Sequence, residues 1–295
     1  MGVVYRARHC RLDRLVALKV IAPDLPEDPA ARHRFREEAV VAASLEHPNV
    51  VPVHDAGEAD GIAYLAMRYV QGTDLAVLVR GVDPLAPAHA AEIVARLGGA
   101  LDCLHDAGYV HRDVKPRNVL VASDGHVYLT DFGLARHVAD DARATRAGHW
   151  VGTVDYVAPE QIRGLPAGPR ADVYGLGCVL FFAITGHAPF VGETPAASMW
   201  AHVHEPPPAP SRLCPELAPV LDEVVARALA KDPADRFATA GELGRAALRA
   251  THGAAGAPKS VSSPRAAGPV EAPTVSCPGR ARGPAGLTAG RAVVT

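Results

Sequence analysis

The chain has 295 residues, 30 Lys and Arg against 32 Asp and Glu for a formal net charge of -2, and 48% hydrophobic residues. That length and apolar content suit one large domain or two lobes with a sizeable core, and the balanced charge excludes the basic field of a nucleic-acid binder. Five cysteines, Cys10, Cys103, Cys178, Cys214 and Cys277, are scattered with no C-x-x-C pair, which argues against a disulfide framework or a structural zinc site and fits a reducing cytosol.

The opening Met1-Gly2-Val3-Val4-Tyr5-Arg6-Ala7 leads to Leu15 to Ile21, a strand by its β-branched content, with Lys19 on the face of Ala17 and Ile21. Asp28-Pro29 predicts a helix start. Phe35, Glu38, Ala42 and Leu45 then recur at helical spacing, which puts Glu38 on the inward stripe and turns Glu37 aside. A buried carboxylate requires a cation, and Lys19 is the candidate. His47-Pro48 ends that helix. Val50 to Val53 and Ile62 to Tyr69 read as strands, with Asp60-Gly61 in the turn before the second. Ala86 to Ala107 carries Ile93, Val94, Leu97, Leu101 and Leu104 at helical spacing and stops at Gly108. Its internal Gly98-Gly99 pair costs about 1 kcal/mol per residue against Ala, so close packing on a neighbour is expected.

Next comes His111-Arg112-Asp113-Val114-Lys115-Pro116-Arg117-Asn118, whose Pro116 excludes a continuous helix. Val119 to Val121, Ser123-Asp124-Gly125 and Val127 to Thr130 read as two short strands around a Gly turn, which brings Asp131 close to Asn118. A carboxylate and an amide oxygen so placed form a hard-oxygen site for Mg²⁺, leaving Asp113 to orient a hydroxyl.

This stretch and Asp131-Phe132-Gly133 resemble the H-R-D-x-x-x-x-N catalytic loop and D-F-G motif of Hanks-type serine/threonine protein kinases of bacteria. The resemblance implies an α+β, two-lobed fold: residues 1–70 a small sheet plus helix C, residues 71–250 a larger, mainly helical lobe. It implies ATP and Mg²⁺, with the metal on Asn118 and Asp131, Asp113 orienting a Ser or Thr hydroxyl, and Lys115 facing the transferred phosphoryl group. Val16-Ala17-Leu18-Lys19 matches V-A-I-K, making Lys19 the phosphate contact held by Glu38. Gly2 and Val4 match the last glycine and the valine of G-x-G-x-x-G-x-V, while the two earlier glycines are not in the sequence. From that difference come two further expectations: a start codon upstream, and a rival reading as a catalytically impaired pseudokinase scaffold. The same resemblance implies that Met67 takes the gatekeeper position and that Arg68-Tyr69-Val70 form the hinge whose backbone would hydrogen-bond adenine. Asp74 is a ribose contact or a helix cap, the cap being favoured.

A polar stretch runs to Trp150, and Gly152-Thr153-Val154-Asp155-Tyr156-Val157-Ala158-Pro159-Glu160 resembles the segment that closes the activation loop of serine/threonine kinases. The pairing of Lys115 with Thr153 points to Ser/Thr rather than Tyr specificity, and the peptide-positioning segment argues against a small-molecule phosphotransferase. Thr145, or less favourably Thr153, is the expected activation-loop phosphosite, with Arg112 as the phosphate's partner; a solvated loop threonine is the alternative for Thr145. Asp172 opens the most apolar helix as cap, as anchor of the catalytic loop, or as both. Its segment Val173 to Ile184 is shorter than the roughly 18 to 20 residues that cross a bilayer, and no leader peptide opens the chain, so no transmembrane segment and a cytoplasmic location are expected. Leu217 to Ala230 and Gly241 to Ala250 read as helices, and Arg236 between them matches the structural partner of Glu160. Residues 251–295, rich in Ala, Gly, Pro, Ser and Arg, read as a disordered tail. The expected partners are proteins with Ser or Thr acceptors, and a second copy of the chain in a transient homodimer for autophosphorylation.

Overall fold

The computed structural model describes residues 2–10, 12–21, 39–40, 43–59, 62–131, 136–137, 154–252 and 287–289. Strands β1 (Gly2–His9), β2 (Arg14–Ile21), β3 (Val53–Ala59) and β4 (Ile62–Arg68) form an antiparallel sheet with a short strand from far along the chain, Leu287–Ala289, in the order Leu287–Ala289, β1, β2, β4, β3. The two-residue alternation of a strand sorts its side chains. Val16 and Leu18 are buried with Ala7, Tyr64 and Ala66 on one face. On the other, Lys19 lies opposite Val4 on β1 and Leu65 on β4, and Ala17 lies opposite Met67. Leu65 is covered there by Ala39, part of a helical stretch over 39–40 and 43–44.

One strand departs from expectation. Val50 makes only an isolated parallel bridge to Leu129, and β3 begins at Val53. Pro52 has no N–H to carry a ladder back through 50–52. Beyond it, the exposed, polar run from His54 to Glu58 lacks the β-branched content by which a strand is read from sequence.

The larger lobe is built from strands β5 (Gly72–Asp74) and β6 (Tyr109–Val110) and helices α1 (Leu75–Val82), α2 (Pro87–Asp106), α3 (Pro159–Ile162), α4 (Pro169–Thr185), α5 (Pro195–His204), α6 (Pro210–Leu213), α7 (Pro219–Ala228) and α8 (Ala240–His252). Helices α2 to α7 all begin on proline, whose fixed φ and missing N–H suit the first helical position. Asp74 caps α1, its carboxylate accepting from the Val77 N–H at 2.9 Å. Helix α4 is buried on nearly every side and forms the centre of the lobe. The predicted close packing of α2 is present at one of its two glycines. A Cβ on Gly98 would stand 2.6 Å from the Ala240 carbonyl oxygen of α8, whereas one on Gly99 would make only ordinary contact with His47. Gly244 lets α8 approach equally, since a Cβ there would lie 2.5 Å from the Ala95 Cα. Asp102 of α2 then accepts from the Ala240 and Gly241 N–H groups at 2.9 and 3.1 Å, capping α8 from another helix.

Helix α8 continues to His252, two residues into the expected tail, and Leu287–Ala289 pairs with β1 through Ala7, Arg8 and His9. The rest of that tail lies outside the described residues. Among the described residues no helix is long and apolar enough to cross a membrane.

Candidate active site

The segment 111–118 is held from below by one carboxylate. Asp172, 1% exposed on α4, accepts from the His111 N–H at 2.8 Å, the Arg112 N–H at 2.7 Å and the His105 ring at 2.7 Å. Burial acts to raise this carboxyl, but the His105 hydrogen bond and the surrounding donors outweigh it and keep the group below the ordinary carboxylate range. Gly175, one turn further along α4, allows the loop to rest on the helix, because a Cβ there would meet the Val114 carbonyl at 2.9 Å. Asp172 therefore acts as an anchor, and sequence reading missed its third donor, His105. The available signal was His105 four residues after Leu101, at the flank of the buried stripe.

Above this anchor the functional side chains converge. The Lys115 ammonium donates to both Asp113 oxygens at 2.8 and 2.6 Å. The 3₁₀ turn Pro116–Asn118, opened by proline, carries Asn118 back so that its amide nitrogen donates to the Asp113 carbonyl at 2.8 Å and to its carboxylate at 3.0 Å. With that nitrogen engaged, the amide oxygen is the end that remains for a cation. Strands β7 (Val119–Ala122) and β8 (Val127–Leu129) form the expected hairpin, and the Thr130 N–H closes on the Asn118 carbonyl at 3.0 Å, which places Asp131 beside Asn118. His111 ties the loop to the same strand end. Its Nδ1 accepts from the Asp113 N–H at 3.3 Å, which puts the ring proton on Nε2, 3.3 Å from the Thr130 carbonyl.

Arg112 and Asp131 adopt left-handed backbone, φ 66° and 67°. For non-glycine residues this costs about 1 to 2 kcal/mol each and persists only where neighbours impose it. At Arg112 the imposed contacts are visible: its N–H bonds Asp172, and its carbonyl accepts from Gln161 at 3.0 Å. Gln161 is a second residue that sequence reading missed, since it lies next to Glu160 without a motif of its own.

Lys19 reaches across from β2, its ammonium 2.8 Å from the Asp131 carboxylate. Burial would raise the Asp131 carboxyl, and the Lys19 charge and hydrogen bond bring it below the ordinary value. The partner foreseen for Lys19, Glu38, lies outside the described residues, as do Phe132, Gly133, Thr145 and Thr153. Glu160 and Arg236 meet as foreseen in a buried bidentate pair at 2.7 and 2.8 Å.

Residues 1–245 match the family described as "Protein kinase domain". The chain belongs to the protein kinase family. It is 45% identical over 247 residues to the serine/threonine-protein kinase PknE of Mycobacterium tuberculosis, an alignment covering 84% of this chain and 43% of PknE. To PknB of Mycolicibacterium smegmatis it is 44% identical over 260 residues, covering 86% of this chain and 42% of PknB. The crystal structure of the M. tuberculosis PknI kinase domain matches with a TM-score of 0.67 and 35% identity, over 85% of this chain and 91% of that one. The chain thus spans less than half the length of these two curated relatives.

Within this kinase domain Met67 ends the row begun by Ala17 across the β2–β4 ladder, and half-buried Tyr69 and Val70 lead out of β4 towards β5. Val4 stands opposite Lys19 on β1, 38% exposed. Gly2 lies opposite Ile21. The donor set fits Mg²⁺: one amide oxygen and one carboxylate kept ionised are the few hard ligands this ion takes when phosphate oxygens and water complete its shell.

Proposed function

We propose that the chain is an ATP-dependent serine/threonine protein kinase. The observation that carries this reading is the Asp113 carboxylate held by Lys115 and Asn118 at 2.6 to 3.0 Å, with Asp131 brought alongside by the β7–β8 hairpin. ATP enters between the Val4–Lys19–Leu65 face of the sheet and the catalytic loop, with Ala17 and Met67 beside the base and the backbone of Tyr69 and Val70 offering it hydrogen bonds. Asn118, through its amide oxygen, and the Asp131 carboxylate would hold Mg²⁺, which would supply charge neutralisation at the phosphates. Lys19 exchanges its Asp131 contact for a phosphate oxygen, with Glu38 as its second partner. Asp113 orients the substrate hydroxyl and takes its proton as the new O–P bond forms and the bond to ADP breaks. Lys115 then stabilises the negative charge on the transferred group.

In the same reading residues 1–70 and 71–250 are the two lobes around this cleft, and Thr145, or less favourably Thr153, is the activation-loop acceptor, phosphorylated in a transient homodimer in the cytoplasm. The test is incubation of the purified chain with labelled ATP and Mg²⁺, mapping phosphate by mass spectrometry. Incorporation should disappear in Lys19→Met and fall about 10²- to 10⁴-fold in Asp113→Asn with ATP affinity retained. No incorporation by the parent, or equal turnover in Asp113→Asn, would overturn the assignment.

A further inference from the structure

One peptide unit beside the reactive carboxylate is gripped by a side chain to which the proposed transfer gives no part. Gln161 lies on α3, one position beyond Glu160, and is half-buried. Its amide makes two hydrogen bonds: Nε2 donates to the Arg112 carbonyl at 3.0 Å, and Oε1 accepts from the Ala158 N–H at 3.2 Å. These partners fix which end of the amide lies where, because a backbone carbonyl only accepts and a backbone N–H only donates. The side chain therefore joins the catalytic loop to the residue just ahead of α3, across 49 positions of sequence.

The Arg112 carbonyl and the Asp113 N–H belong to one planar peptide unit, so a bond that holds the first also orients the second and the direction in which the chain enters Asp113. The other end of that unit is held too, the Asp113 N–H reaching His111 Nδ1 at 3.3 Å. The backbone gives a reason for such bracing: Arg112, at φ 66°, lies in the left-handed region, which a non-glycine residue keeps only where its surroundings impose it. Asp172 fixes its N–H at 2.7 Å, its guanidinium reaches the Ala167 carbonyl beyond α3 at 3.4 Å, and Gln161 supplies a donor on the carbonyl side. Helix α3 is a firm base for that donor, because the neighbouring Glu160 is tied to buried Arg236.

We propose that Gln161 is a positioning residue for the reacting carboxylate: by clamping the Arg112–Asp113 peptide to the start of α3, it sets the direction of Asp113 from the same helical turn that receives the segment ending at Ala158. This inference rests on the proposed phosphoryl transfer. The alignment of a general base governs the rate of the step more than the binding of either substrate, so loss of the clamp falls on kcat.

The test uses the full chain with ATP, Mg²⁺ and a synthetic peptide of residues 139–150, which carries Thr145. Gln161→Met keeps the shape and removes both bonds, while Gln161→Glu keeps the acceptor for the Ala158 N–H and turns a carboxylate oxygen to the Arg112 carbonyl. Both variants should lose about tenfold in kcat, the effect of one lost hydrogen bond, with the KM for ATP and for the peptide unchanged. A side chain that only capped α3 would leave Gln161→Glu at the parent's rate. Hydrogen exchange reads the clamp without any turnover: protection of the Asp113 amide should fall about tenfold in both variants, and that of the Ala158 amide in Gln161→Met alone. A parent that phosphorylates nothing would defeat the functional reading and leave the exchange measurement to decide this inference. The parent's kcat in Gln161→Glu, or the parent's Asp113 protection in either variant, would overturn it. Should one variant not fold, Asp113 protection in the other decides.

Discussion

Replacing Glu160 by Gln isolates the energetic role of one buried ion pair. Arg236 is 2% exposed, and every N–H of its guanidinium is engaged. Nη1 bonds Glu160 and the Arg170 carbonyl at 2.7 and 2.8 Å, Nη2 bonds Glu160 and the Lys231 carbonyl at 2.8 and 3.2 Å, and Nε bonds the Ala230 carbonyl at 2.8 Å. Gln preserves the shape of Glu160, removes the countercharge, and turns an amide N–H towards a guanidinium that has only donors. An uncompensated buried charge costs about 3 to 5 kcal/mol, a large share of the roughly 5 to 15 kcal/mol that keeps a domain folded. For a lobe of this size each kcal/mol is worth about 2 to 4 °C in melting temperature, so thermal unfolding of Glu160→Gln should begin at least about 6 °C lower. The control is Asp13→Asn, which breaks a pair just as short, Arg8 to Asp13 at 2.6 Å, but with side chains 61% and 74% exposed. Solvent screens that pair, and the melting temperature should not move measurably. If Glu160→Gln melts within about 2 °C of the parent, the guanidinium is compensated by the three carbonyls alone and the argument fails.

Two glycines in helices should respond in opposite ways when changed to alanine. Gly98→Ala drives a methyl into the Ala240 carbonyl and should cost about 1 to 3 kcal/mol in denaturant unfolding, whereas Gly81→Ala on α1 meets nothing within 4 Å and should gain about 0.5 to 1 kcal/mol. Stability should also fall in mild acid through His202. Burial and the nearby Lys231 lower its folded pKa to about 4, below the ordinary 6.5, so the unfolded chain takes up the proton first, and about 1.5 kcal/mol should be lost between pH 6.5 and pH 5. Lys231 and Tyr174 face that ring, and neither changes charge in this window. His202→Phe should flatten this part of the melting-temperature profile, while the loss due to Asp131 and Asp172, whose folded pKa values are lowered, should appear only below about pH 4.

The contrast between what could and could not be read in advance follows from sequence separation. Asp113, Lys115 and Asn118 were legible because the loop that brings them together is contiguous, and Asp131 because a short hairpin with a recognisable turn returns it to Asn118. Lys19 was legible as a strand residue on the cleft-facing side. Strand β3 was hidden because, among the described residues, only one of its edges is paired and its side chains from His54 to Glu58 are exposed, so no apolar alternation was needed. Helices α5 and α6 escaped notice for a related reason: α5 buries only Ser198, Ala201 and His202, too few for a periodic stripe. His202 looks like a surface residue until Tyr174, 28 positions earlier, and Lys231 are folded against it. His105 and Asp172 are likewise separated by 67 positions, and nothing local marks the pair.

The capping of α8 by Asp102 has a consequence in time. Donor and acceptor are 138 positions apart, and α8, which covers the Gly98 face of α2, is the last of the described helices to be made. At about 5 to 20 residues per second, roughly 7 to 30 s of synthesis separate the end of α2 from the end of α8. Through that interval a nascent lobe presents the Gly98 face and the Asp102 carboxylate with no cover, a surface that a ribosome-associated chaperone can hold. Closure is then a single late event, and a chain interrupted before Ala240 would leave the ribosome with its main helical interface unsealed.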